Sequence, residues 1–180
     1  LEDARDANVV DSQRLDAALD APPDAPRPFD ATTCPSTYVA VNGITSARYR
    51  AAATNISVQW SAAAQACEAD SAGITHLLVF DSQAEYNAVV PVLQAAHNFN
   101  HSWTGGYSYF EGILLRTRTV TGQSVAALNP SKYSFGQEVL RSPRASFLLG
   151  TDFRYSDNPL DYNYNYICEC DGRPGGQRPP

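Results

Sequence analysis

Four cysteines constrain this 180-residue chain more than any other feature: Cys34 and Cys67 stand apart, and Cys168 and Cys170 are two residues from one another. The spacing Cys168-Glu169-Cys170 is not the Cys-x2-Cys of a structural zinc site, and none of His76, His97 and His101 is near it in sequence. With one lysine and no methionine in the chain, the pattern reads as disulfides made in an oxidising compartment. Four cysteines allow three pairings. A Cys168–Cys170 bond would close a strained three-residue ring and is the least favoured. In an extended strand residues two apart point the same way, so Cys168 and Cys170 can both reach across one face to earlier partners. We expect Cys67 with Cys168 and Cys34 with Cys170, each closing a loop of about 100 residues or more, worth up to ~4.7 kcal/mol on the chain-entropy account.

Cys34 also marks a change of composition. Up to Thr33 eight acids face three arginines, whereas from Cys34 onward eleven acids face ten bases, so most of the formal charge of −6 belongs to the first segment. Residues 1–33 hold one aromatic, Phe29, and a loose recurrence of Asp-Ala-Pro. Such a segment buries too little apolar surface to offset an ordering cost of ~1–2 kcal/mol per residue. We expect a disordered, extended acidic linker over 1–33, a domain over 34–171, and a disordered Gly- and Pro-rich end over 172–180. The chain starts at Leu1, so we expect a start codon and any signal segment to lie outside it. No run approaches the ~18 apolar residues of a membrane-spanning helix. A nucleic-acid footprint needs clustered cations, which the near-neutral domain does not supply.

Within the domain, Tyr38 to Val41, a turn at Asn42-Gly43 and Ala47 to Arg50 predict a hairpin. Ser57 to Ala69 predicts a helix with Trp60, Ala63, Ala64 and Cys67 on one face. Ile74 to Phe80 predicts a strand. Ser82-Gln83-Ala84-Glu85 is a capping box opening a second helix, which Pro91 should kink or interrupt. Beyond Trp103-Thr104-Gly105-Gly106 only short β-prone runs follow, Ile113 to Val120, Ala145 to Leu149 and Tyr162 to Cys170, set among polar loops. Two helices followed by strands and long loops make the fold class α+β.

Four of these motifs, in this order, resemble the C-type lectin-like domain: Trp60-x-x-Ala63-x-x-x-Cys67; His76-Leu77 with Ser82-x-x-Glu85; Trp103-Thr104-Gly105-Gly106; and Tyr166-Ile167-Cys168-Glu169. The resemblance implies a double-loop fold, two helices flanking small antiparallel sheets with a long loop region, and a Cys67–Cys168 bridge. Cys34-Pro35-x-x-Tyr38 is similar to the start of the family's long form, whose usual partner cysteine would fall near Arg48; Cys170 is the mate available. The family's long-loop disulfide would align near Ser146 and Leu160 and is missing. In sugar-binding members a Glu-Pro-Asn or Gln-Pro-Asp triplet and a later Trp-Asn-Asp hold calcium. Aligning Tyr133-x-x-Gly136 puts Gln137-Glu138-Val139 at the first place, and counting back from Cys168 puts Tyr155-Ser156-Asp157 at the second. Gln137 and Asp157 are thus the metal candidates for calcium, with Tyr133, Glu138 and Tyr155 beside them as ligand-binding candidates. Val139 and Ser156 stand where amide oxygens are needed, which leaves calcium optional.

The remaining candidates have plainer readings. His97 and His101 have a helical metal spacing, but Asn98-Phe99-Asn100 points to loop histidines. Asp152, Asp157, Asn158, Asp161, Asn163 and Asn165 form an oxygen-rich run that suits turns at least as well as an ion. Asn55-Ile56-Ser57 and Asn100-His101-Ser102 fit the glycosylation pattern. Tyr107, Tyr109, Phe110, Tyr133, Phe135, Tyr155, Tyr162 and Tyr164 offer stacking faces with hydroxyls, or fill the core. No nucleophile elbow, phosphate loop or His-Glu-x-x-His occurs. We therefore expect no enzyme but an extracytoplasmic module, secreted or anchored at the cell surface, that binds a glycan or protein through the long-loop surface. A structural or adhesion module without a small ligand is the alternative, and a carboxylate-based hydrolase the least favoured. The acidic linker resembles the spacer behind the lipid-attachment cysteine of some bacterial surface lipoproteins.

Overall fold

The computed structural model describes residues 29–53, 56–96, 101–112, 114–123, 133–134, 144–149 and 155–179. The acidic linker up to residue 28 lies outside them. The described residues nevertheless begin at Phe29, earlier than the expected boundary at Cys34. Asp30 caps a short 3-10 turn, Ala31–Thr33, by accepting from the Thr32 amide at 2.9 Å and hydroxyl at 2.7 Å, and Phe29 lies against Gly172 and the core.

The hairpin β1 (Val39–Val41) and β2 (Ile44–Ala51) turns at Asn42-Gly43, where Gly43 takes φ 85°, a left-handed conformation that glycine adopts without steric cost. Helix α1 (Trp60–Asp70) buries Trp60, Ala63, Ala64 and Cys67, the face that the sequence spacing defines. Strand β3 (Thr75–Leu77) and helix α2 (Gln83–Ala96) follow. Of the two outcomes expected at Pro91, a kink or an interruption, the interruption does not occur: α2 runs unbroken through it. Proline removes one donor, to the carbonyl four residues back; that residue, Asn87, is exposed, as is Pro91, so water can take the freed acceptor. Then come β4 (His101–Glu111), β5 (Leu114–Thr119), β6 (Tyr133–Ser134), β7 (Arg144–Leu149), β8 (Tyr155–Pro159) and β9 (Asn165–Cys170).

Among the described residues these strands form one sheet in the order β1-β2-β9-β4-β7-β8-β6, with β3 on β9 and β5 on β4. Strand β9 sits centrally, antiparallel to β2 and β3 and parallel to β4. Its alternation divides the core in two: Tyr166, Cys168 and Cys170 face the cluster under α1, and Ile167 faces the cluster between α2 and the first hairpin. Cys168 and Cys170 therefore do point to one side, and the bridges are Cys67–Cys168 and Cys34–Cys170, as expected. Where β4 crosses β3, Gly105 donates to Leu78 O at 2.7 Å. A Cβ there would lie 2.6 Å from Val79 Cγ2 and 2.7 Å from Leu77 O, so only glycine fits.

The end of the chain corrects another expectation. Residues 172–179, read as a disordered tail, run back over the domain: Gln177 donates its amide to Val120 O at 3.0 Å, and Arg178 clasps both Glu68 carboxylate oxygens at 2.8 Å with its guanidinium 5.7 Å from the Trp60 ring centre. Arg173 bonds Asp171 and reaches Asp81 at 2.9 Å. Glycine and proline content signalled a lack of regular structure; the arginines between them supply the anchors.

Candidate functional site

The long-loop residues come together through strand pairing. Strands β6 and β8 run parallel, with Tyr133 opposite Tyr155 and Ser134 opposite Ser156. Strand β8 is antiparallel to β7, which sets Asp157 opposite Ser146, and β7 is antiparallel to β4. Three of the five candidate ligand-binding residues, Tyr133, Tyr155 and Asp157, thus share one end of one sheet although 24 positions separate the first from the last. Gln137 and Glu138 lie outside the described residues, as do His97, Asn55 and Asn100.

For calcium the donor set is too thin. A six- to eight-oxygen shell would draw on Gln137 and Asp157 alone among the four amide or carboxylate positions, with Val139 and Ser156 at the other two. At these four positions the residues present do not fit the ion.

Of the other aromatics, Tyr107 and Tyr166 are buried, Tyr109 and Tyr164 half-buried, Phe110 and Tyr162 exposed. His101 opens β4 and stacks on Tyr164 with centroids 5.3 Å apart. Trp103 is fully buried and donates its indole N–H to Val58 O at 2.8 Å. These rings anchor the start of the loop region to the core.

A second polar cluster escaped sequence reading. Glu85 does accept the role of helix opener, since its amide is bonded by Ser82 Oγ at 3.0 Å, but its carboxylate reaches past Ser82 to the Asp81 amide at 2.7 Å and to the Tyr49 hydroxyl at 2.5 Å. Beside it Glu169, 1% exposed, accepts from the Val79 amide at 2.9 Å. Burial, and then the Glu85 and Asp171 charges, push the Glu169 carboxyl well above its usual range; burial raises Glu85 as well, and bonds from Tyr49 and Asp81 oppose it. Burial thus favours the neutral form of both carboxyls. Next to them His76 Nδ1 lies 2.8 Å from Leu77 O and Nε2 2.9 Å from Asp171 Oδ1. Burial alone would raise Asp171, but the His76 bond and charge and the Arg173 charge outweigh it and hold the carboxyl below its usual value. His76, Glu169 and Asp171 place ligand atoms within 4.8 Å of one another, yet each is already engaged by Leu77, Val79 or Arg173, and Gly175 packs against His76. The cluster fastens β9 to α2 and to the C-terminal segment. In the sequence His76, Glu85 and Glu169 stand only as parts of separate motifs, because pairing across 84 positions leaves no local pattern.

The fold so built is the C-type lectin-like fold. No protein-family model and no curated protein sequence matches the chain. Among solved structures, the EPNH mutant of CEL-I is similar at 18% identity and a TM-score of 0.61, covering 76% of this chain and 96% of that one. Human lithostathine is similar at 18% identity and a TM-score of 0.58, covering 77% and 99%. A complex of SPL-1 with GlcNAc is similar at 17% identity and a TM-score of 0.57, covering 78% and 97%.

Proposed function

We propose that this chain is an extracytoplasmic recognition module that binds a saccharide through the long-loop end of its sheet, without calcium and without making or breaking a bond. The observation that carries the reading is the β6–β8 register, which sets Tyr133 beside Tyr155 with Asp157 two residues on. Tyrosines supply stacking faces and hydroxyl donors, and the carboxylate accepts from sugar hydroxyls. The GlcNAc complex of a structural neighbour supports a saccharide as the ligand class. Two disulfides support an oxidising compartment, and among the described residues no helix is long and apolar enough to cross a membrane. A glycan panel probed with the wild type and with a Tyr133→Ala, Tyr155→Ala variant tests this: the variant should lose the wild-type signal while keeping its melting temperature. A protein ligand in place of a glycan would leave the panel silent.

In the same protein, calcium titration should leave the thermal melt unmoved. A site filled at a hundredfold excess over Kd would add ~2.7 kcal/mol, and a shift of that size would overturn the calcium-free part of the reading.

A further inference from the structure

At the opposite edge of the sheet from β6, the 3-10 turn Ala31–Thr33 and the β1–β2 hairpin line a cavity of about 310 Å³, at the small end of the ~300–1,000 Å³ that ligand sites occupy. Phe29, Ile44 and Ala47 give it apolar walls, and Asp30 and Arg48 line it with opposite charges. The second disulfide holds these walls together. Cys34, the residue after the turn, is bridged to Cys170, and Cys170 is the β9 residue that pairs with Arg48.

Two observations separate this cavity from an ordinary surface groove. The Nε of Arg48 is buried without a hydrogen-bond partner, and no ion pair reaches the guanidinium among the described residues. Buried donors are satisfied in the great majority of native structures, so an orphan of this kind points to a bound water, ion or ligand. The second observation concerns Asp30. Its Oδ1 accepts from the Thr32 amide at 2.9 Å and hydroxyl at 2.7 Å, which fixes the carboxylate and leaves Oδ2 without a donor among the described residues. A guanidinium without an anion and a carboxylate oxygen without a donor thus line one cavity and do not pair with each other.

We propose that this cavity binds a free α-amino acid with an apolar side chain. Its α-carboxylate lies on the Nε side of the Arg48 fork, which offers two parallel N–H donors to a planar carboxylate. Its α-ammonium donates to Asp30 Oδ2, and its side chain packs against Phe29, Ile44 and Ala47. A neutral sugar leaves both protein charges unmatched, a simple fatty acid or amine matches one, and an internal peptide residue carries neither charge. The site shares no residue with the Tyr133–Tyr155 end and stands without the saccharide reading.

Backbone amide shifts of the full chain test it in titrations with L-leucine and L-phenylalanine, each beside its deaminated and its decarboxylated counterpart. At least one amino acid should give saturable shifts centred on residues 30–34 and 44–48, with a Kd at least about tenfold below those of its two counterparts, the scale of a hydrogen bond to a charged group. Arg48→Lys, which keeps the charge and loses the fork, should weaken that binding about tenfold or more. Asp30→Asn, which keeps an acceptor for Thr32, should weaken it to a similar extent at an unchanged melting temperature, and it decides alone if Arg48→Lys melts early. Absence of saturable shifts, shifts centred elsewhere, equal binding of a counterpart, or binding indifferent to Asp30→Asn would each overturn the site. Residues 1–28 or a second copy of the chain seated in the cavity would give the first of these results.

Discussion

Glu169 shows how one residue can carry two meanings. In the sequence it completes a motif; in the fold it is a buried carboxyl whose pKa is pushed up by burial and by the Glu85 charge. A carboxyl whose folded value is raised stabilises fully below its usual value of 4.5, and that contribution is lost as pH climbs toward the raised value. Asp171, held low, has the opposite sign and its contribution is lost on acidification. Thermal melts of the wild type should therefore weaken as pH rises above the usual glutamate value of 4.5, and Glu169→Gln, which keeps an acceptor for the Val79 amide, should flatten that slope. An unchanged slope would remove the proton from the account. Gly105 makes a simpler case. Its Cβ position is filled by Val79, Leu77 O and Val120, so Gly105→Ala should cost on the order of 1–3 kcal/mol in denaturant unfolding, the range of an overpacked core.

At the scale of elements, periodicity made α1, the first hairpin and the course of β9 legible, because each depends on side chains three, four or two apart. The strand-to-strand pairing of β6 with β8 was not, because register between distant segments is set by the whole sheet. The C-terminal segment was misread for a related reason: its stability comes from Arg173 and Arg178 meeting Asp81, Asp171 and Glu68, contacts that composition cannot show. Removing residues 172–180 should lower the melting temperature measurably, and Arg173→Ala should account for more of the loss than Arg178→Ala. Arg173 leaves Asp171, 8% exposed, without its cation, whereas the Arg178–Glu68 pair is about a quarter exposed and exposed pairs contribute about 1 kcal/mol or less. Calorimetric melts of the three variants give the ranking. Equal losses would mean that the segment acts by covering the core, not through its charges.

At the scale of the molecule, two bridges tie the 3-10 turn, α1 and β9 together, and the sheet runs on through β4, β7, β8 and β6, the strands of the proposed recognition surface. The sequence told which half of the chain would be strands and loops, since the helical signals stop at Trp103. Replacing Cys67 and Cys168 together by alanine should cost about 2–5 kcal/mol and loosen the frame on which that surface rests. The account stands most directly on one binding measurement: the full chain on a glycan panel with a calcium chelator present. It predicts saccharide binding that survives chelation and is lost in the Tyr133→Ala, Tyr155→Ala variant. A panel that stays silent, or a signal that chelation abolishes, would contradict it.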